Sequence, residues 1–265
     1  VNPRLGGETV TRSRERFARI AGIAAIFCLA VVTLLPQGIG ETSTTRDSIS
    51  IEIVETTPDA TDDSNIRNTG EVWLELFESA ENTIDIEAPY FHDRIIGEYD
   101  NVCDELQEAA ERGVQIRILT NDWPTGLNSL ANKSSVEVLT PSDDDLAIHA
   151  KYFIVDNRQV FVGSQNWSWT AIGNNHELGL LIESEQLACS YTYIFESGWE
   201  AAGGETRGAE YWEADWIYPV ASGPEMPHET TSTLVAIENL ISSAQEDVKV
   251  FIYVFSTGAG VLAAA

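Results

Sequence analysis

The chain has 265 residues, 42 acidic against 15 basic side chains, a net charge of −27 and three cysteines. That length suits one large domain or two small ones with a substantial core, and 43% hydrophobic content excludes a disordered or collagen-like chain. Three scattered cysteines exclude a disulfide scaffold and a thiolate metal centre, leaving Cys103 and Cys189 as candidates for one bridge that spacing alone does not support.

The acids run through the chain rather than forming a tail, as expected of a halophilic protein working in molar salt. At about 1 M salt the Debye length is about 3 Å, so an acidic surface does not keep a polyanion from a local basic pocket. Acidity therefore does not exclude a phosphate substrate.

Residues 1–19 carry Arg4, Arg12, Arg14, Arg16 and Arg19 against Glu8 and Glu15, and an apolar run follows to Leu35. As a helix, Phe17–Leu35 would extend about 28 Å at about 1.5 Å per residue, close to the hydrocarbon thickness of a bilayer. Arginines before the run and acids after it predict a single-pass cell-membrane segment with the N-terminus inside and the domain outside. A cleaved signal peptide, which would secrete the domain, is the competing reading; the run is long for one and no A-x-A site follows. The expected division is an Arg-rich cytoplasmic tail over 1–16, an anchor or signal segment over 17–36, and a polar tether over 37–47.

From there the pattern is α/β. Ile49, Ile51 and Ile53 alternate with polar residues as in a strand, and 58–68 reads as a polar loop. Helix Glu71–Glu81 precedes strand Thr83–Ala88, and helix Asn101–Arg112 ends on Gly113, a C-cap. Further strands are expected at Val114–Leu119, Val136–Leu139, Ile148–Val155, Val160–Gly163 and Leu178–Ile182, before helix Ser184–Trp199. The expected fold is a mixed sheet flanked by helices.

Ser79–Ile86 aligns with Ser243–Val250 at an offset of 164, with Leu76 opposite Leu240 and Phe77 opposite Ile241. This predicts a lobe over 48–200, a connector over 201–231, and the truncated start of a second, incomplete lobe over 232–265.

The chemistry concentrates in His149-Ala-Lys151 and Gly163-Ser164-Gln-Asn166. Side chains at i and i+2 of a strand share a face, so His149 and Lys151 point one way, as do Ser164 and Asn166. Lys151 can neutralise a phosphate, Ser164 and Asn166 can donate to its oxygens, and His149 can attack phosphorus or move a proton. Asp156 has the opposite parity, which suits a supporting role. Gly163 permits close backbone approach, and Glu177 is placed to orient an imidazole. Tyr90 and Phe91 could stack a base or pack in the core, and Trp167 and Trp169 could wall the pocket or fill the interior. His92 reads as a loop histidine, Asp143–Asp145 as a solvated acidic turn, and no cluster suggests zinc or another metal.

The pattern H-x-K-x4-D-x6-G-S-x-N, filled by His149, Lys151, Asp156, Gly163, Ser164 and Asn166, resembles the HKD signature of the phospholipase D superfamily. Trp167-Ser-Trp169 and His176-Glu-Leu-Gly179, behind a membrane segment, are most similar to the membrane-anchored 5′-exonuclease members. The resemblance implies a phospholipase D-like lobe with His149, Lys151 and Asp156 as its catalytic group, and metal-independent phosphodiester cleavage through a phosphohistidine, without a cofactor. It implies a nucleic acid or phospholipid substrate, the latter handled by a phospholipase or cardiolipin synthase-like transferase. One departure is decisive: the chain holds a single motif, so a homodimer or a missing C-terminal half must complete the site, and an inactive fragment or binding module is the remaining alternative.

Overall fold

The computed structural model describes residues 29–32, 49–58, 65–141, 147–212, 217–222 and 232–247. The strands in chain order are β1 (Leu29–Val32), β2 (Ser50–Thr56), β3 (Arg67–Asn68), β4 (Thr83–Glu87), β5 (Gln115–Leu119) and β6 (Val136–Leu139). They continue as β7 (Tyr152–Val155), β8 (Gln159–Gly163), β9 (Glu177–Glu183) and β10 (Ile217–Val220). The helices are α1 (Thr69–Ser79), α2 (Glu98–Arg112), α3 (Asn128–Ala131), α4 (Trp169–Gly173), α5 (Glu185–Ala201) and α6 (Thr233–Ser243).

One eight-stranded sheet has the order β3-β2-β9-β8-β7-β4-β5-β6. Its β4–β5–β6 part is parallel and its β4–β7–β8–β9–β2 part antiparallel, so the sheet is mixed, as expected. Both faces are covered. Phe153 and Val155 of β7 face a core with Trp73, Phe77, Phe161 and Trp167, while Tyr152 and Ile154 face one with Tyr191, Phe195 and Trp199 of α5. Burial on both faces explains why β7 reads as an unbroken apolar run rather than an alternating one.

Local signals set the element ends. Asn68 caps α1 by accepting from the Gly70 N–H, Ser184 caps α5 by accepting from Leu187, and Gly113 ends α2 at φ 97°. The proposed repeat has a matching geometry. Helices α1 and α6 each have 11 residues, and Ala80 and Ala244 after them share an extended backbone, with their N–H groups donating to Phe77 O and Ile241 O. Ser79 Oγ donates to Leu76 O and Ser243 Oγ to Leu240 O. Leu76 is buried, but Leu240 is 48% exposed. The strand expected after Ala244 falls largely outside the described residues, as do His228 and 142–146.

Two expectations are corrected, and one open possibility is closed. Leu29–Val32, inside the expected membrane helix, is a strand antiparallel to β10. A uniformly apolar run carries no period to separate helix from strand, and Val31 and Val32 are β-branched. The rest of that segment lies outside the described residues, among which no helix is long and apolar enough to cross a membrane. The strand expected from Ile148 starts only at Tyr152. Finally, Cys103 and Cys189 are free, one on each of two helices that pack on opposite faces of the sheet.

The face under α5 also contains a buried ionic cluster. Arg117 on β5 donates from Nε and Nη2 to the two Asp85 oxygens, both at 2.7 Å, and from Nη2 to Glu196 at 2.8 Å. Its guanidinium lies 4.8 Å from the Phe195 ring centroid and 5.2 Å from that of Trp199.

Candidate active site

Strands β4, β5 and β8 run parallel to one another in the sheet, and β7 and β9 run against them. The carboxyl ends of the first set and the amino ends of the second therefore meet at one edge. That edge receives His149 and Lys151 ahead of β7, Ser164 and Asn166 after β8, and Glu177 at the start of β9. Five of the expected site residues are brought to this edge by topology alone.

An asparagine that sequence reasoning missed holds the histidine segment in place. Asn121, just past β5, accepts from the Ile148 N–H at 2.7 Å and donates to Ile148 O at 2.8 Å and to Pro89 O at 3.0 Å. Ile148 thus makes side-chain bonds where a strand would make ladder bonds, and His149 is presented from a clamped loop. Lys151 follows, its Nζ 2.6 Å from His149 O, and Gly163 N–H donates to Lys151 O.

Glu177 organises the opposite wall. Ser164 Oγ donates to its Oε2 at 2.5 Å, Asn175 Nδ2 donates to its Oε1 at 2.9 Å, and Ser164 Oγ in turn accepts from the Leu178 N–H. The Ser164 proton expected to meet a phosphate is committed to Glu177, so Ser164 acts here as a positioning group. Asn166 lies beside this pair, half-buried, and its Oδ1 has no hydrogen-bond partner among the described residues. Gly163 is required by close approach. A Cβ there would lie 2.8 Å from Gly179 Cα, its register partner on β9, and still closer to Gln165.

Electrostatics link these groups. Burial lowers the Lys151 pKa to about 8 against the pull of Glu177, and burial together with the Lys151 charge lowers that of His149. Burial, with the Glu177 charge, raises that of Tyr90. The site is thus an imidazole biased toward its neutral form beside an ammonium held near a carboxylate.

Asp156 does not belong to this group, which corrects its expected catalytic placement. It follows the far end of β7, where its carboxylate accepts from the N–H groups of Glu81, Asn82 and Thr83 at 2.7–2.8 Å. It closes the turn between α1 and β4. Its parity along the strand pointed that way.

The neighbouring aromatics divide. Phe91 and Trp167 are buried in the core, their rings tilted against each other with centroids 4.8 Å apart, whereas Tyr90 is 38% exposed. Trp169 is partly buried beneath the Arg94 guanidinium, 4.8 Å from its ring centroid. His92 is exposed, and its Nδ1 accepts from the Arg94 N–H. Among the described residues no group of three or more His, Cys, Asp or Glu could hold a metal ion.

The family model described as "Cardiolipin synthase, PLD-like domain" matches residues 73–199, which contain every one of these site residues. The chain belongs to the phospholipase D superfamily. It is 25% identical over 173 residues to phospholipase D Y of Dictyostelium discoideum, covering 58% of this chain and 39% of that one. It is 27% identical over 175 residues to the 5′-3′ exonuclease PLD3 of Bos taurus, covering 58% and 36%. The chain thus spans well under half the length of these two curated relatives of the superfamily. Among solved structures, the phospholipase D family member Nuc from Salmonella typhimurium aligns with a TM-score of 0.47 and 22% identity, over 60% of this chain and 99% of Nuc.

Proposed function

We propose that this chain supplies one histidine–lysine half of a phosphodiesterase site that cleaves single-stranded nucleic acid without a metal. The observation that carries the reading is the convergence of His149, Lys151, Asn166 and the Ser164–Glu177 pair at one sheet edge. Lys151 and Asn166 would hold the phosphate. One histidine, His149 or its counterpart in a second motif, attacks phosphorus as the bond to the leaving oxygen breaks. The other histidine gives that oxygen a proton and then takes one from water. The water oxygen attacks phosphorus and releases the first histidine. The second motif would come from a partner copy or from further chain, a requirement supported by the single motif and by the α1–α6 correspondence. Export of the domain behind the arginine-rich apolar segment is part of the same proposal.

A phospholipid substrate is the second reading, favoured by exposed Ile96 and Leu178 near the same edge, 37% and 47% accessible. The full chain, with chelator present, should be offered labelled single-stranded DNA and, in parallel, phosphatidylglycerol. Cleavage of DNA that disappears in His149→Ala supports the nuclease reading. Turnover of the lipid alone replaces it with the second. A folded monomer that turns over neither is not an enzyme by itself.

A further inference from the structure

The three chain segments joined by the Asn121 side chain each carry a notable residue beside the junction. Pro89 precedes Tyr90, Ile148 precedes His149, and Trp123 lies two residues past Asn121, its Cα within about 7 Å of the Asn121 Cα. Tyr90 and Trp123 are among the large apolar side chains left exposed, at 38% and 48%. Tyr90 follows Pro89, whose carbonyl accepts from Asn121 Nδ2. Trp123 donates its Nε1 proton to Asn128 Oδ1 at 3.0 Å, and its loop is tied down by the hydrogen bond from Thr125 to Asp93. An indole whose polar edge is already satisfied, and whose ring is half exposed, offers mainly a π-face.

We propose that Tyr90 and Trp123 form a stacking platform for the bases flanking the phosphate held by Lys151, and so select single-stranded nucleic acid. This rests on the nuclease reading above and names the groups that recognise its substrate. Stacking is tolerant of base identity because every base has a π-face. A flat anionic bilayer would instead press many headgroups against the exposed acids Asp93 and Asp122 of the same loops.

The test is equilibrium binding by the full chain carrying His149→Ala, read by fluorescence anisotropy in molar potassium chloride, where the net charge of −27 is screened. The probes are a short single-stranded DNA oligomer, the same oligomer with abasic sites, and phosphatidylglycerol vesicles. The base-bearing oligomer should bind about tenfold more tightly than the abasic one. Tyr90→Leu and Trp123→Leu should each reduce that preference, while Tyr90→Phe and Trp123→Phe, which keep a ring, should retain it. Equal binding of the two oligomers, or a preference unmoved by the leucine variants, overturns the platform and leaves the nuclease reading standing. Failure to bind either oligomer overturns the nuclease reading, and the platform with it, whether or not vesicles bind.

Discussion

The Tyr152 hydroxyl donates to Glu87 Oε2 at 2.5 Å across the β4–β7 pairing, and the second Glu87 oxygen is buried with no hydrogen-bond partner among the described residues. Burial raises the Glu87 pKa to about 7, although the Tyr152 hydrogen bond pulls it down. Native Glu87 therefore keeps its proton between the ordinary carboxylate range and about pH 7, where the unfolded chain has lost it. Its contribution to stability is full below the unfolded pKa and is lost as pH rises through about 7. We expect Glu87→Gln to flatten the stability profile between pH 5 and pH 8, with the two proteins diverging most at the alkaline end. Urea midpoints across that range check this.

The same reasoning gives phosphodiester cleavage a two-sided pH dependence. An attacking His149 must be neutral, and its lowered pKa places the acid limb below the ordinary histidine range. Lys151 must be charged, and its pKa of about 8 places the alkaline limb there. Lys151→Arg keeps the charge at high pH, so the alkaline limb should disappear from the kcat/KM profile even if the maximum falls. If both histidines of the complete site show ordinary values, the acid limb sits near pH 6.5 instead.

Asn121 and Asp156 should separate in their effects. Asn121→Ala removes the clamp on the segment bearing His149, so kcat should fall about tenfold or more with a smaller change in KM. Asn121→Gln moves the amide by one methylene and should not rescue it. Steady-state kinetics of both variants checks the placement of Asn121 as a positioning residue.

Asp156→Ala should act on stability instead. Its carboxylate satisfies three backbone N–H groups, and hydrogen bonds to a charged group contribute about 1.5–3 kcal/mol each, with incomplete additivity. We expect a loss of about 3 kcal/mol in urea unfolding with near-normal turnover per folded molecule. His149→Ala should show the reverse, losing turnover while keeping its unfolding midpoint.

These residues also mark where local pattern stops informing. The cap at Gly113 is a local event written in adjacent residues, and the sequence placed it correctly; Ser184, expected as the first residue of its helix, caps it instead. Ile148–Lys151 looks like a strand because burial alternates there, with Ile148 and Ala150 inside. Its backbone partner is nevertheless Asn121, 27 residues away. The motif positions His149, Lys151, Ser164 and Asn166 were legible as a set from their spacing, and the order of β7 and β8 in the sheet carries them to one edge. The commitment of the Ser164 proton to Glu177 depends on the β8–β9 register, which no spacing within the motif encodes. Arg117 gave no signal at all, because its partners are 32 and 79 residues distant.

That cluster yields the sharpest stability test. Asp85, Arg117 and Glu196 are all nearly inaccessible, and Arg117 is the main partner of the two carboxylates, with Arg207 Nη1 3.9 Å from Asp85 and the Arg207 N–H donating to Glu196. Arg117→Met keeps much of the volume but leaves both acids without their main partner. Breaking a buried pair in this way costs about 3–5 kcal/mol. Combining Arg117→Met with Asp85→Leu and Glu196→Leu removes the stranded charges and should recover much of the loss, since well-packed apolar groups often replace a buried ionic cluster without penalty. If the single variant is as stable as the parent at pH 7, the cluster does not contribute to holding α5 against the sheet.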